Sequence, residues 1–278
     1  MSLKAIWWAL LTAMAVALVF LFNYWASYQP LSTLAYAGIV LALWGLPNLA
    51  LPFRFLGIRT RWAGALILVC GVGLAAAALH WPTQTIRVAQ SRLRLDDVMP
   101  EYQSSERHST RIHARPEQVM LAIRQSTFGD MKSLVVLLKI RGAVLRAPTH
   151  GIDDLRDKRI LDSFSESLYL MGGSEHEIAL FGIWNVRAQR RPDVHTLQEF
   201  ANYREQGGVK MGYDFYVEDA GGGWSTISTE TRVLGLDDDT RRGLGRYWRL
   251  IVPGSGLLRL QWLEGIKRRA ESMPGAPA

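Results

Sequence analysis

The stretch Ser228–Glu271, "STETRVLGLDDDTRRGLGRYWRLIVPGSGLLRLQWLEGIKRRAE", joins a strand pattern to a helix pattern. Asp237, Asp238 and Asp239 put acid at a helix start, where side-chain caps and the helix dipole favour it. Leu244, Trp248 and Ile251 keep helical spacing with Tyr247 beside them. Pro253 to Gly256 interrupts, and Leu258, Trp262, Ile266 and Ala270 resume the pattern before the cations Lys267, Arg268 and Arg269 close it. The expectation is a strand feeding a long, amphipathic, interrupted C-terminal helix.

Working back toward the N-terminus, strands come in pairs. Lys210 to Glu218, "KMGYDFYVE", alternates Met211, Tyr213, Phe215 and Val217 against polar partners, and "DAGGG" links it to a second run, Trp224 to Leu234. A period of two means that one face is buried. Ser163 to Met171 and Glu177 to Val186 flank "GGSEH", which predicts another hairpin. Further back, Glu106 to His113 reads as a strand, Pro116 opens the helix "PEQVMLAIRQS", and "DMKSLVVLLKIRG" from Asp130 is a second helical stretch. Pro82 to residue 101 is mixed and polar, a linker or ordered connection, and residues 273–278 form a tail.

The first 81 residues obey a different rule. All 25 acidic residues lie beyond Trp81, and the only charges before it are Lys4, Arg54, Arg59 and Arg61. Ala5–Phe22, Leu31–Phe53 and Trp62–Trp81 are uncharged, each near the roughly 20 residues that a helix needs to cross hydrocarbon. Three transmembrane helices are expected, with Trp7, Trp8, Trp25, Trp62 and Trp81 in an aromatic belt. A signal peptide is the alternative for the first, although "NYWASY" after Phe22 offers no small-x-small cleavage site.

Three arginines in the second loop and Lys4 before the first helix favour the cytoplasm for both, which places the domain after Trp81 outside the cell membrane. Arg87, Arg92 and Arg94 pull the other way. The single cysteine, Cys70, lies in the third apolar run, so there is no disulfide framework or cysteine metal site.

Beyond Trp81 the 28 basic and 25 acidic residues are interspersed. A nucleic-acid footprint would be clustered, so nucleic acid is not an expected partner. Catalytic motifs are sparse: GxSxG, HExxH and a P-loop are absent, and His108 and His113, five apart, do not share a face of a regular strand. In "SEHE", His176 points away from Glu175 and Glu177 if the segment is a strand. No cofactor is called for.

Strand, two helices, a run of antiparallel strands and a final long helix is the order found in the START-like helix-grip superfamily, also called SRPBCC, with its polyketide cyclase and lipid-transfer branches. "STETRV" followed by "DDDTRRGLGRYWRLIVPGSGLLRLQWLEGIKRRAE" resembles the end of one bacterial branch. The resemblance covers about residues 102–271 and implies an α+β fold, a curved antiparallel sheet around a long C-terminal helix, behind an unrelated three-helix membrane anchor. It also implies an apolar cavity between sheet and helix.

By that resemblance Trp184, Tyr213, Phe215, Trp248 and Ile251 are ligand-lining candidates, although aromatics at such spacing serve equally as plain core. Glu230 and Arg232, two apart on the last strand, are either a solvated pair or a buried polar handle for a head group. The function expected is binding of a hydrophobic or amphipathic small molecule, foremost a lipid, beside the membrane. The alternatives are a cyclase-like enzyme, which works mainly by positioning its substrate, and a membrane interaction protein without a ligand.

Overall fold

The computed structural model describes residues 29–50, 60–145, 153–167 and 170–274. The chain divides into two units: one holds everything up to Pro82 together with Gly245–Pro253, and the other holds Thr83–Leu244 and the remainder from Gly254.

In the first unit, α1 (Pro30–Ala50) and α2 (Arg61–His80) are each long and apolar enough to cross a membrane and pack antiparallel. The expected helix over Ala5–Phe22 lies outside the described residues. Small residues form the surface between α1 and α2: Ala35, Gly38 and Gly45 of α1 and Gly64, Gly71 and Ala75 of α2 are buried. A Cβ built on Gly38 would stand 2.4 Å from the Ala75 nitrogen, and one on Gly71 would stand 2.4 Å from the Ala42 nitrogen. The large side chains, among them Leu43, Leu46, Leu66 and Val69, point outward and are exposed. Small residues inside and large apolar residues outside is the arrangement lipid favours, because it lets backbones approach closely while hydrocarbon covers the rest.

The second unit is α+β. Its main sheet is antiparallel, in the order β3 (Ser104–Ile112), β7 (Trp224–Gly235), β6 (Gly208–Gly221), β5 (Glu177–Asn185), β4 (Leu170–Gly173). The first long strand therefore lies beside the last. The β4–β5 turn requires Gly173, which sits at φ 145°, a conformation that side chains avoid. Gly221, Gly222 and Gly223, all at positive φ, close the β6–β7 hairpin.

The expected strand over Ser163–Met171 is corrected: residues Ile160–Ser167 form a helix, α6, and only Leu170–Gly173 pairs with β5. Ile160 and Leu161 are buried in the main core, and this packing decides the conformation.

Both faces of the sheet are covered, not one. On the first, α4 (Pro116–Gln125), α5 (Leu134–Leu145) and the end of the last helix, α8 (Asp238–Glu271), enclose Ile178, Leu180, Phe215, Val217 and Ile227. On the second, α3 (Arg94–Val98) and α7 (Leu197–Asn202) cover Ala179, Phe181 and Ile183 through Leu95, Met99 and Phe200. The segment 82–101, expected as a connection, thus builds part of the domain. It pairs β1 (Ile86–Arg87) with β2 (Glu101–Tyr102) and buries Leu95, Val98 and Met99.

The C-terminal helix is continuous, which corrects the expected interruption at Pro253–Gly256. A mid-helix proline removes the bond to the carbonyl four residues back, here that of Arg249. Within the first unit the Ser32 hydroxyl donates to this Arg249 carbonyl at 2.5 Å, and Tyr36 OH donates to the next carbonyl, that of Leu250. Side chains of α1 replace what the proline deletes. The Arg249 guanidinium in turn donates to the carbonyls of Leu79 and Trp81 at the end of α2, at 2.6 and 2.7 Å.

Candidate functional site

Strand parity gathers an unusual set of side chains on the face of the sheet that α4, α5 and the end of α8 cover, hereafter the helix-covered face. Glu106 and His108 sit two apart on β3, opposite Thr231 and Thr229 of β7, which in turn stand opposite Tyr213 and Phe215 of β6. Residues paired in this way project to the same side. From the second half of α8, Arg259 reaches down to the two threonines, donating to Thr229 Oγ1 at 2.6 Å and to Thr231 Oγ1. Its guanidinium carbon lies 4.9 Å from the ring centre of Tyr213 and 5.9 Å from that of Trp262, so the cation is satisfied by hydroxyls and aromatic faces.

Glu106, His108, Thr229, Thr231 and Arg259 are all buried. His108 Nε2 stands 3.0 Å from Glu106 Oε1. This polar patch sits in a face that is otherwise apolar. Phe215 meets Trp262 edge to face with ring centres 4.6 Å apart, and Trp262 Nε1 donates to Ser126 Oγ at 2.9 Å. On the other flank burial loosens. Met211 and Tyr213 are half-buried although β6 is a central strand, and so is Trp184 on the neighbouring β5, with Gly182 between Leu180 and Trp184 supplying no side chain. An accessible apolar ledge therefore borders a buried polar patch.

The opposite face carries a second polar network. Arg232 bonds Asp96 at 2.7 Å and Glu230 at 2.6 Å, and lies 4.9 Å from the ring centre of Tyr102. Burial alone would raise the Asp96 carboxyl, but hydrogen bonds from the Arg92 and Leu93 backbone and from Arg232 hold it below the usual range. Glu177 accepts from the Arg94 and Leu95 N–H groups at 2.7 and 3.1 Å and so caps α3. Asp214 accepts from the Glu230 N–H, yet burial, reinforced by the Glu230 and Glu177 carboxylates, pushes it up to about 7.

The seven residues expected to share one ligand site are therefore divided. Trp184, Tyr213 and Phe215 lie on the helix-covered side. Glu230 and Arg232 form their expected pair but project to the other side, where they tie residues 94–99 to the last strand. They are neither solvated nor beside Tyr213, because Glu230 pairs with Asp214, one residue out of phase. Trp248 and Ile251 belong to the part of α8 that groups with the apolar helices.

Sequence reading missed Glu106 and Arg259. The signal was available in the two-residue spacing of Glu106 and His108 within a strand that ends at apolar Ile112, in phase with both, and in the helical spacing of Arg259 to Trp262. Among the described residues, a partly open pocket of about 10 Å³ lies beside Phe181 and Phe200 and a wider groove of about 360 Å³ runs openly along Arg190–His195, and neither is lined by Glu106, Met211, Tyr213 or Trp184. No family model matches the chain, and neither a curated protein nor a solved structure is similar to it.

Proposed function

We propose that this chain is a membrane-anchored START-like domain that binds an amphipathic small molecule, foremost a lipid, on the helix-covered face of its sheet. The observation that carries the reading is the meeting of the half-buried ledge of Trp184, Met211 and Tyr213 with the buried patch of Glu106, His108 and Arg259. A ligand site is mostly apolar with a few placed polar groups, and here such groups border side chains that the protein leaves half-buried. The sheet order, first long strand beside last, and the long closing helix support the START-like assignment. The apolar pair α1 and α2 supports the membrane anchor and, with it, access to lipid.

The anchor is that of the cell membrane, with the domain after Trp81 outside, as the arginines at 54, 59 and 61 suggest. A C-terminal alkaline-phosphatase fusion should be active. An inactive fusion with a bright cytoplasmic reporter reverses the topology and leaves the anchor standing.

Native mass spectrometry of the detergent-extracted full chain tests the binding reading. The expected result is a mass increment from a co-purified small molecule that is released on unfolding. A protein that carries nothing and takes up no lipid contradicts it. Phe215 and Trp262, which fill their part of the interface with each other, favour a second reading in that case: an interaction protein whose interior is occupied by its own aromatics.

A further inference from the structure

One atom of the polar patch is left unsatisfied. Glu106 is 3 % exposed, its Oε1 is engaged by His108, and its Oε2 is buried with no hydrogen-bond partner. Buried carboxylate oxygens almost always find donors, because the water given up on folding has to be replaced. Among the described residues this oxygen has none, and it lies in the patch bordered by the accessible apolar ledge. A donor carried by a ligand would satisfy it.

Charge selects the kind of donor. Thr231, the cross-strand partner of Glu106, accepts from Arg259, so a permanent cation already stands in the same patch. An ammonium head would be placed beside that guanidinium, and like charges in a poorly solvated site repel strongly. A carboxylate or phosphate head would set a second anion against the Glu106 carboxylate, which repels it. A neutral hydroxyl supplies the hydrogen and adds no charge.

Resting on the ligand-binding reading above, we propose that Glu106 Oε2 is the head-group acceptor of this site and that the ligand is a neutral amphipath ending in a hydroxyl. The hydroxyl donates to Oε2, His108 holds the other carboxylate oxygen in place, and the apolar body lies along Met211, Tyr213 and Trp184.

The test uses the full chain in detergent micelles and three probes with one C18 chain: oleyl alcohol, its methyl ether and oleylamine. Oleyl alcohol should bind saturably at one per chain and at least about tenfold more tightly than the ether, since a site built for a donor rejects the analogue that lacks it. In Glu106→Met, which keeps the side-chain length and removes the acceptor, alcohol and ether should bind alike, with a thermal melt showing that the domain is folded. Equal binding of alcohol and ether by the wild type overturns the head-group assignment but leaves the ligand-binding reading. Tighter binding of oleylamine overturns it too. Failure of all three probes to bind removes both.

Discussion

The Ser32 hydroxyl stands 2.5 Å from the carbonyl oxygen of Arg249, the acceptor that Pro253 leaves open in the turn that follows. A residue of α1 thereby supplies the donor that Pro253 withholds from its own helix.

The Ser32–Pro253 relationship predicts a coupling. Ser32→Ala should lower stability by about 0.5–1.5 kcal/mol, the usual net value of one hydrogen bond. In a Pro253→Ala background the residue 253 N–H is restored, and Ser32→Ala should then cost little. Thermal unfolding of the four proteins in one detergent measures the cycle. Strict additivity would show that the serine hydroxyl and the proline act independently.

The hairpin itself should be intolerant of bulk at its glycines. Gly38→Leu and Gly71→Leu place side chains where backbone atoms already stand at 2.4 Å and should separate α1 from α2. Gly73→Leu, whose Cβ meets nothing within 4 Å, is the control. Protease sensitivity in detergent should rise for the first two variants alone. Equal behaviour of all three would contradict the close-packed interface.

Trp262 joins three elements: it packs against Phe215 of β6, bonds Ser126 after α4, and lies on α8 beside Arg259. Trp262→Ala should cost about 3–5 kcal/mol in denaturant unfolding of the full chain, and more than Trp262→Phe. A loss under about 1 kcal/mol would mean that the helix contributes little to the core.

These contacts show where the sequence was legible. The alternation of Met211, Tyr213, Phe215 and Val217 and the two glycine-marked turns located β5, β6 and β7, because period and turn chemistry are local. The apolar runs located α1 and α2 for the same reason. What depends on partners distant in sequence was not readable. The face of Glu230 relative to Tyr213 is set by strand register, and the helix through Pro253 is set by hydroxyls more than 200 residues away. Residues 94–98 looked like a polar connection because one of their two acids, Asp96, is satisfied by Arg232 inside the domain. Arg259, 7 % exposed, carries no local mark that separates it from the other cations of its helix.

Asp214 supplies a pH signature. Its carboxyl titrates near 7 in the folded chain, far above its unfolded value, so the folded state holds the proton more tightly. Its contribution is fully present below about pH 4 and is lost as pH rises to about 7. Lys210, pushed down to about 8 by burial, has the opposite slope: its neutral form suits the fold, so stability recovers as pH climbs from about 8 toward 10. Denaturant midpoints across this range should show a decline to neutrality. Asp214→Asn should flatten the segment between pH 4 and 7, and an unchanged profile in that variant would assign the titration elsewhere.

The central claim, that the helix-covered face of the sheet takes an amphipathic ligand, is tested most directly by photochemical labelling of the full chain in lipid nanodiscs. The probe is an oleyl alcohol analogue with a diazirine in its chain, and the labelled peptides are mapped by mass spectrometry. Saturable labelling at Trp184, Met211, Tyr213 or Leu258, suppressed by excess oleyl alcohol, is the predicted result. Labelling confined to the outward side chains of α1 and α2, and unaffected by competitor, would mean that the probe meets the protein only as bilayer lipid and would contradict the claim.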